Sequence, residues 1–173
     1  MQPKLVYFHS HPIQYIAPML KELAKEVDLE VYYYSDANLR GGVDKGFGQA
    51  IKWDIPLLDG YKSTFLKNYN IGQPLNLRLT GAINPSVFGI MLRTKSKVVM
   101  INGWSYATDL MILFTAWFFG KKVWLRVENP LSKDMVQQGL KPKIKAFLFK
   151  NILFTRLISR FLYIGTDNKD FFQ

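Results

Sequence analysis

The sequence contains no cysteine and only two histidines, His9 and His11. A chain without cysteine can form neither a disulfide framework nor a Cys-based metal site. Nothing in it therefore requires an oxidising compartment, and we expect a cytoplasmic location. The two histidines lie two residues apart on an extended segment, so both could face one metal ion. Because no third ligand is evident in the sequence, we expect no metal site.

Long apolar runs are also missing. The N-terminal segment MQPKLVYFH does not resemble a signal peptide, because its short apolar stretch ends at His9. The longest uncharged apolar run extends from Leu110 to Gly120. A membrane-spanning helix needs about 20 apolar residues, so the sequence predicts no such helix.

Acidic residues are scarce. The chain has 13 acidic and 23 basic residues, and its formal net charge is +10. No acid occurs from Met135 to Thr166, where large apolar side chains alternate with lysine and arginine. Nucleic-acid-binding surfaces are usually more polar, so we expect no nucleic-acid partner. Two interpretations of a predicted helix over Lys141–Arg160 stay open: it lies on an anionic membrane at the inner face, or it is a core helix with snorkelling lysines.

Strand and helix patterns alternate along the chain. Short apolar segments predict six strands, and longer segments with helical spacing of apolar residues predict helices between them. The predicted strands are Lys4–His9, Leu29–Tyr34, Ile51–Ile55, Lys97–Ile101, Lys122–Val127 and Phe161–Ile164. The main predicted helices are Ile13–Glu26, Pro85–Arg93, Tyr106–Phe119 and Lys141–Arg160. This pattern predicts an α/β, Rossmann-like three-layer sandwich around a mainly parallel sheet of about six strands.

A glycine-rich phosphate loop is absent. The segment after the first strand contains neither GxGxxG nor GxxxxGK[ST], and its turn has no glycine. We therefore expect neither a dinucleotide cofactor held in the usual way nor a P-loop ATPase. No bound cofactor is expected at all.

Residues suited to proton transfer or ligand binding follow the predicted strands. Ligands of such sheets bind beyond the carboxyl ends of the strands. The candidates for catalysis are His11, Asp109 and Glu128. The candidates for substrate binding are His9, Gln14, Tyr15, Asn102, Trp104, Arg126 and Asn129.

Alternative roles remain open for several of these residues. Arg126 and Glu128 are two positions apart on one strand and so share a face. They could form an ion pair that only orders the loop, or place a base and an anion anchor in one cleft. His9 or His11 could be a general base, or could merely hydrogen-bond to the first helix. Gln14 and Tyr15 fall in the predicted first helical turn, where free backbone N–H groups suit a phosphate.

Several motifs resemble a family of bacterial glycosyltransferases. The segment Ser10–Pro18 (SHPIQYIAP) resembles the opening of these proteins, and Asp44–Gly48 (DKGFG) and Trp53–Tyr61 (WDIPLLDGY) resemble the next blocks. Leu125–Asn129 (LRVEN) is similar to the end of the family's fifth strand, and Tyr163–Asn168 (YIGTDN) to that of the sixth. The family is the large retaining GT-B group that includes sucrose synthases and mannosyltransferases of envelope assembly.

The resemblance implies one half of a GT-B fold. Residues 1–173 would be the N-terminal, acceptor-side domain, and a C-terminal donor-binding domain would complete the enzyme. The implied reaction transfers a sugar from a nucleotide-sugar to an envelope glycan or lipid-linked acceptor without a metal, and this chain alone would be inactive. By position, the His11–Tyr15 loop would face the donor phosphates, and Glu128 would lie near the reacting carbon. The alternative from a different class is a non-catalytic Rossmann-like ligand-binding module.

Overall fold

A computed structural model describes residues 2–37, 43–44, 49–50, 56–72, 74–76, 78–127 and 155–163. Eight strands and the intervening helices are assigned within these ranges. The strands are β1 (Lys4–His9), β2 (Asp28–Tyr33), β3 (Val43–Asp44), β4 (Gln49–Ala50), β5 (Lys62–Phe65), β6 (Val98–Asn102), β7 (Lys122–Val127) and β8 (Arg160–Tyr163). The helices are α1 (Ala17–Glu26), α2 (Ser86–Arg93), α3 (Ala107–Phe118) and the single turn α4 (Thr155–Leu157), with a 3₁₀ turn at Leu79–Gly81.

One open sheet organises the described residues. Its six strands are all parallel and lie in the order β5-β2-β1-β6-β7-β8. The short strands β3 and β4 form a separate antiparallel pair. Parallel neighbours require crossover connections. The connection from β1 to β2 contains α1, and the connection from β6 to β7 contains α3. The predicted α/β, Rossmann-like architecture with a parallel six-stranded sheet is confirmed.

Successive side chains of each strand point to opposite faces of the sheet, so the apolar residues form two separate clusters, one on each face. On one face, Tyr7, Val31 and Met100 pack with Ile16 and Leu20 at and within α1. The burial of this set explains why β1 is apolar along nearly its whole length.

The other face is covered by α2 and α3. Strand residues such as Phe8, Ile101 and Leu125 form its core together with Met91 of α2 and Ile112 of α3. The sheet thus lies between two helical layers, which is the predicted three-layer arrangement.

The third parallel strand differs from the prediction. The sequence favoured Ile51–Ile55, which lies outside the described residues, and read residues 59–80 as irregular. The structure instead has β5 at Lys62–Phe65, paired with β2 at the edge of the sheet. Because this edge strand alternates exposed and half-buried residues, its sequence KSTF lacks the apolar signal of an inner strand.

Two predicted helix boundaries are wrong. The first helix begins at Ala17 and not at Ile13. A helix from Ile13 would place Pro18 where an N–H must bond to the carbonyl of Gln14, and proline has none. The predicted helix Lys141–Arg160 is described only from residue 155, and it ends at Leu157 because Arg160 already belongs to β8, which pairs with Trp124 of β7.

Candidate functional site

The carboxyl ends of β1 and β6 lie side by side at the centre of the sheet. From β1 the chain first builds the sheet in one direction through β2 and β5. It then returns to the other side of β1 to add β6, β7 and β8. The crossovers leave β1 and β6 in opposite directions, and open α/β sheets usually bind their ligands in a crevice at such a reversal of strand order. We call this position the crevice.

A polar row crosses this crevice. Phe8 is paired with Ile101, so the next residues, His9 and Asn102, are neighbours at the strand ends. Asn102 is in turn paired with Arg126 of β7. The Arg126 guanidinium donates a hydrogen bond from Nη1 to Asn102 Oδ1 at 3.0 Å. The structure therefore brings together three of the residues that the sequence selected, and we call His9, Asn102 and Arg126 the polar row.

His9 is the enclosed member of the polar row. Its side chain is only 1% exposed. Burial, with smaller contributions from the nearby His11 and Arg126 charges, lowers its pKa to about 3. The ring is therefore neutral near pH 7, and its Nδ1 accepts a hydrogen bond from the His11 backbone N–H at 3.4 Å. The proton then resides on Nε2, which finds no hydrogen-bond partner within the described part of the chain.

The loop after β1 holds His11, Gln14 and Tyr15. His11 is half-buried, and its Nδ1 lies 3.0 Å from the Ser10 hydroxyl. Tyr15 is largely exposed. The backbone N–H groups of Ile16 and Ala17 both donate to the Ile13 carbonyl, which closes a turn before α1. Gln14 and Tyr15 thus precede the helix, and the prediction that they lie in its first turn is wrong.

The loop after β6 makes a sharp turn at Gly103. This residue has a φ of +98°, which favours glycine. Its N–H donates to the carbonyl of Arg126 at 3.2 Å, so the turn is fastened to β7. No atom lies within 4 Å of the place where a side chain would begin. Trp104 is half-buried and packs against the core beneath α3.

Asp109, a predicted catalytic residue, is enclosed in the protein. Its carboxylate accepts hydrogen bonds from the Tyr34 hydroxyl at 2.5 Å and from the Tyr106 backbone N–H at 2.9 Å. Burial raises its pKa to about 7, against the opposing effect of these hydrogen bonds. An acid that accepts the N–H preceding its own helix stabilises the helix start. The contacts of Asp109 therefore stabilise the start of α3, and they do not place its carboxylate in the crevice.

A buried polar network beside this cap was not foreseen from the sequence. Asn84 is fully buried and donates through its amide to the carbonyls of Tyr34 and Lys67. Its Oδ1 accepts the Thr108 hydroxyl at 2.8 Å. The network joins the end of β2 to the beginning of α3. The Asn84-Pro85 pair, a turn signal before a helix, was the only indication in the sequence.

The remaining candidates, Glu128 and Asn129, lie outside the described residues. Within the described ranges, no group of three His, Asp or Glu side chains could hold a metal ion. The half-buried members of the polar row, Arg126 and Asn102, offer a ligand one fixed cation and an amide, a set suited to phosphate or hydroxyl oxygens.

No protein-family model matches this chain, and no curated protein matches it either. The sheet order and the polar row are therefore the observations on which a functional conclusion rests.

Proposed function

We propose that this chain is the acceptor-side domain of a GT-B glycosyltransferase. The full enzyme would transfer a sugar from a nucleotide-sugar to an envelope glycan or a lipid-linked acceptor. The observation that carries the proposal is the polar row at the strand-order reversal, together with the family-like motifs around Ser10–Pro18 and Leu125–Asn129.

The polar row supports binding of an oxygen-rich substrate. The Arg126 guanidinium supplies a fixed positive charge, and its Nη1 donates a hydrogen bond to Asn102 Oδ1 at 3.0 Å. This contact orients the Asn102 amide. The ring of His9 is buried beside them and neutral, so it adds no charge to the row. Such preorganised donors bind sugar hydroxyls or a diphosphate with little reorganisation.

A second domain is part of the proposal because the phosphate-binding elements here are incomplete. Rossmann-like domains that bind a nucleotide unaided hold its phosphates at a glycine-rich turn after the first strand. The turn Ser10–Ile16 has no glycine, and α1 begins only at Ala17. We therefore assign the donor nucleotide to a partner domain that faces the crevice.

In the proposed reaction, the sugar moves with retention of its anomeric configuration. The leaving diphosphate accepts the proton of the attacking hydroxyl, so the protein mainly positions and stabilises charge. Arg126 would stabilise the negative charge that develops on the leaving group, and Asn102 would orient a hydroxyl. Glu128 would lie near the reacting carbon.

The proposal can be tested in the full-length enzyme by measuring nucleoside diphosphate release from a panel of nucleotide-sugars, with envelope lipid extract as acceptor. Arg126→Gln should reduce kcat/KM by about 10- to 100-fold, because a hydrogen bond to a charged group contributes roughly 1.5 to 3 kcal/mol. The control is Lys25→Gln, which removes an exposed cation of α1 that pairs with Glu22. Equal activity of the Arg126→Gln and Lys25→Gln variants would show that the polar row is not part of the active site.

A second comparison addresses Glu128. In the full-length enzyme, Glu128→Gln should cost more activity than Asp36→Asn, since only Glu128 directly follows in sequence the strand that contains Arg126. Equal effects would exclude a special role for Glu128. Nucleotide-sugar binding by the full-length enzyme without turnover on any acceptor would instead favour the non-catalytic binding module.

A further inference from the structure

The helix α3 has an unusual distribution of polar and apolar residues. Its exposed residues are all aromatic: Phe114, Trp117 and Phe118, with exposed fractions of 55%, 62% and 71%. Two of its three polar residues, Thr108 and Asp109, are buried, and the third, Thr115, is half-buried. A helix on the surface of a water-soluble domain normally shows the opposite pattern. The outer side of α3 is therefore suited to an apolar or interfacial environment.

The neighbouring helix α2 extends the same surface. Phe88 and Leu92 are its exposed large residues, and both are more than half exposed. Phe88 contacts the Phe119 ring at 5.5 Å, which in turn contacts Phe118 at 5.2 Å. A shallow groove of about 540 Å³ separates the helices and is lined by Pro85, Phe88, Ala107, Leu110, Met111, Phe114 and Thr115. We call the exposed residues Phe88, Leu92, Phe114, Trp117 and Phe118 the α2–α3 surface.

Positive charge borders the α2–α3 surface. The segment from Pro85 to Lys122 has one acidic residue, Asp109, which is buried. Its cations lie at the end of α2 or in the links that follow α2 and α3, and none of them forms an ion pair within the described residues. They are Arg93, Lys95, Lys97, Lys121 and Lys122.

The structure keeps these cations together. Lys121 donates to the carbonyls of Thr94 and Ser96, so the links after α2 and α3 are tied to each other. The backbone N–H of Lys122 donates to the carbonyl of Lys97 at 2.8 Å. The basic border is thus a fixed feature beside the aromatic side chains.

We propose that the α2–α3 surface lies on the surface of an anionic lipid bilayer. Exposed aromatic side chains enter the headgroup region, and a border of lysines and arginines binds acidic headgroups. The positive charge favours an anionic lipid over a second copy of the chain as the occupant of this surface. A second copy would carry a net charge of +10 and the same basic border, and the two copies would repel each other.

The helix α3 has 12 residues, or about 18 Å. Within the described part of the chain, no helix is long and apolar enough to cross a bilayer.

This docking surface differs from the one considered from the sequence alone. The earlier candidate, the basic segment from Lys141 onward, lies outside the described residues up to residue 154. The α2–α3 surface and its basic border belong only to α2, α3 and the links that follow them. The proposed contact with lipid does not depend on the proposed transferase activity.

The test is co-sedimentation of the chain with two kinds of vesicle. One contains phosphatidylcholine alone, and the other also contains roughly 30 mole per cent of phosphatidylglycerol, which gives the vesicle a negative surface potential. We expect binding only to the anionic vesicles, weakened by salt. The double variant Trp117→Gln/Phe118→Gln should reduce the partition coefficient at least about tenfold. The matched control, Ile71→Gln/Leu79→Gln, removes two equally exposed apolar residues elsewhere and should bind as the parent does.

A charge variant provides an independent readout. Lys95→Gln/Lys97→Gln should weaken binding by roughly fivefold per lysine, whereas Lys21→Gln/Lys67→Gln, also exposed, should have little effect. Equal binding of parent and α2–α3 variants, or no preference for anionic vesicles, would overturn the proposal. A concentration-dependent mass in light scattering that disappears in Trp117→Gln/Phe118→Gln would assign the surface to a second copy and would overturn it as well.

Discussion

Acidification should destabilise this protein through His9. In the folded state the ring is buried and its pKa is about 3, against 6.5 when it is exposed. Between these values the unfolded chain binds a proton that the folded chain does not. The contribution of His9 to the free energy of unfolding is therefore fully present above pH 6.5 and is lost as the pH falls toward 3.

The magnitude follows from the two pKa values. Between pH 6.5 and about 3, each pH unit changes the free energy of unfolding by about 1.4 kcal/mol. From pH 7.5 to 5.5, the His9 contribution should fall by roughly 1.4 kcal/mol, because only the part below pH 6.5 counts.

Asp109 acts in the opposite direction over the same range. Its pKa is raised from 3.8 to about 7, so the folded state retains a proton that the unfolded state releases. Its contribution decreases as the pH rises from about 4 to 7. The pH dependence of the parent protein alone mixes the two groups. The difference between the parent and His9→Gln removes the Asp109 contribution, because both proteins contain it.

The assay is urea unfolding of the parent and of His9→Gln at pH 7.5, 6.5 and 5.5. From pH 7.5 to 5.5, the free energy of unfolding of the parent should fall by about 1.4 kcal/mol relative to that of His9→Gln. His11→Gln serves as the control and should retain most of the acid sensitivity, because burial is the largest cause of the His9 shift. A change below about 0.5 kcal/mol, or an NMR titration of the His9 ring near pH 6.5, would refute the reasoning.

Three further substitutions test a buried hydrogen bond and two glycine positions, each by urea unfolding at pH 7.5. Tyr34→Phe removes the buried hydrogen bond to Asp109 and should cost about 2 kcal/mol; a loss under 0.5 would mean that the carboxylate finds another donor. Gly81→Ala should cost about 2 kcal/mol or more, because its Cβ would lie 2.3 Å from the carbonyl oxygen of Asn76. Gly103→Ala meets no neighbouring atom and should cost only the backbone strain, about 1 to 2 kcal/mol, so a larger loss than for Gly81→Ala would contradict this assignment.

The sequence foresaw the parts of the fold that depend on local pattern. The strand β1 has the predicted limits, Lys4–His9, because an inner parallel strand buried on both faces is a nearly continuous apolar run. The end of α3 was also foreseen, since Gly120 adopts a φ of +63° just after the helix. The edge strand β5 was missed because half of its side chains face solvent.

For the candidate site, the sequence identified residue types and strand ends but not neighbours. His9, Asn102 and Arg126 are distant along the chain, and only the strand order β1-β6-β7 makes them a row. The sequence selected Asp109 as a candidate catalytic residue, yet Tyr34 and the start of α3 enclose it. The sequence by itself determined the alternating α/β pattern, the lack of a glycine-rich loop and the absence of cysteine chemistry. Tertiary structure decided which polar groups are buried and which aromatic residues of α3 reach solvent, because burial depends on long-range packing.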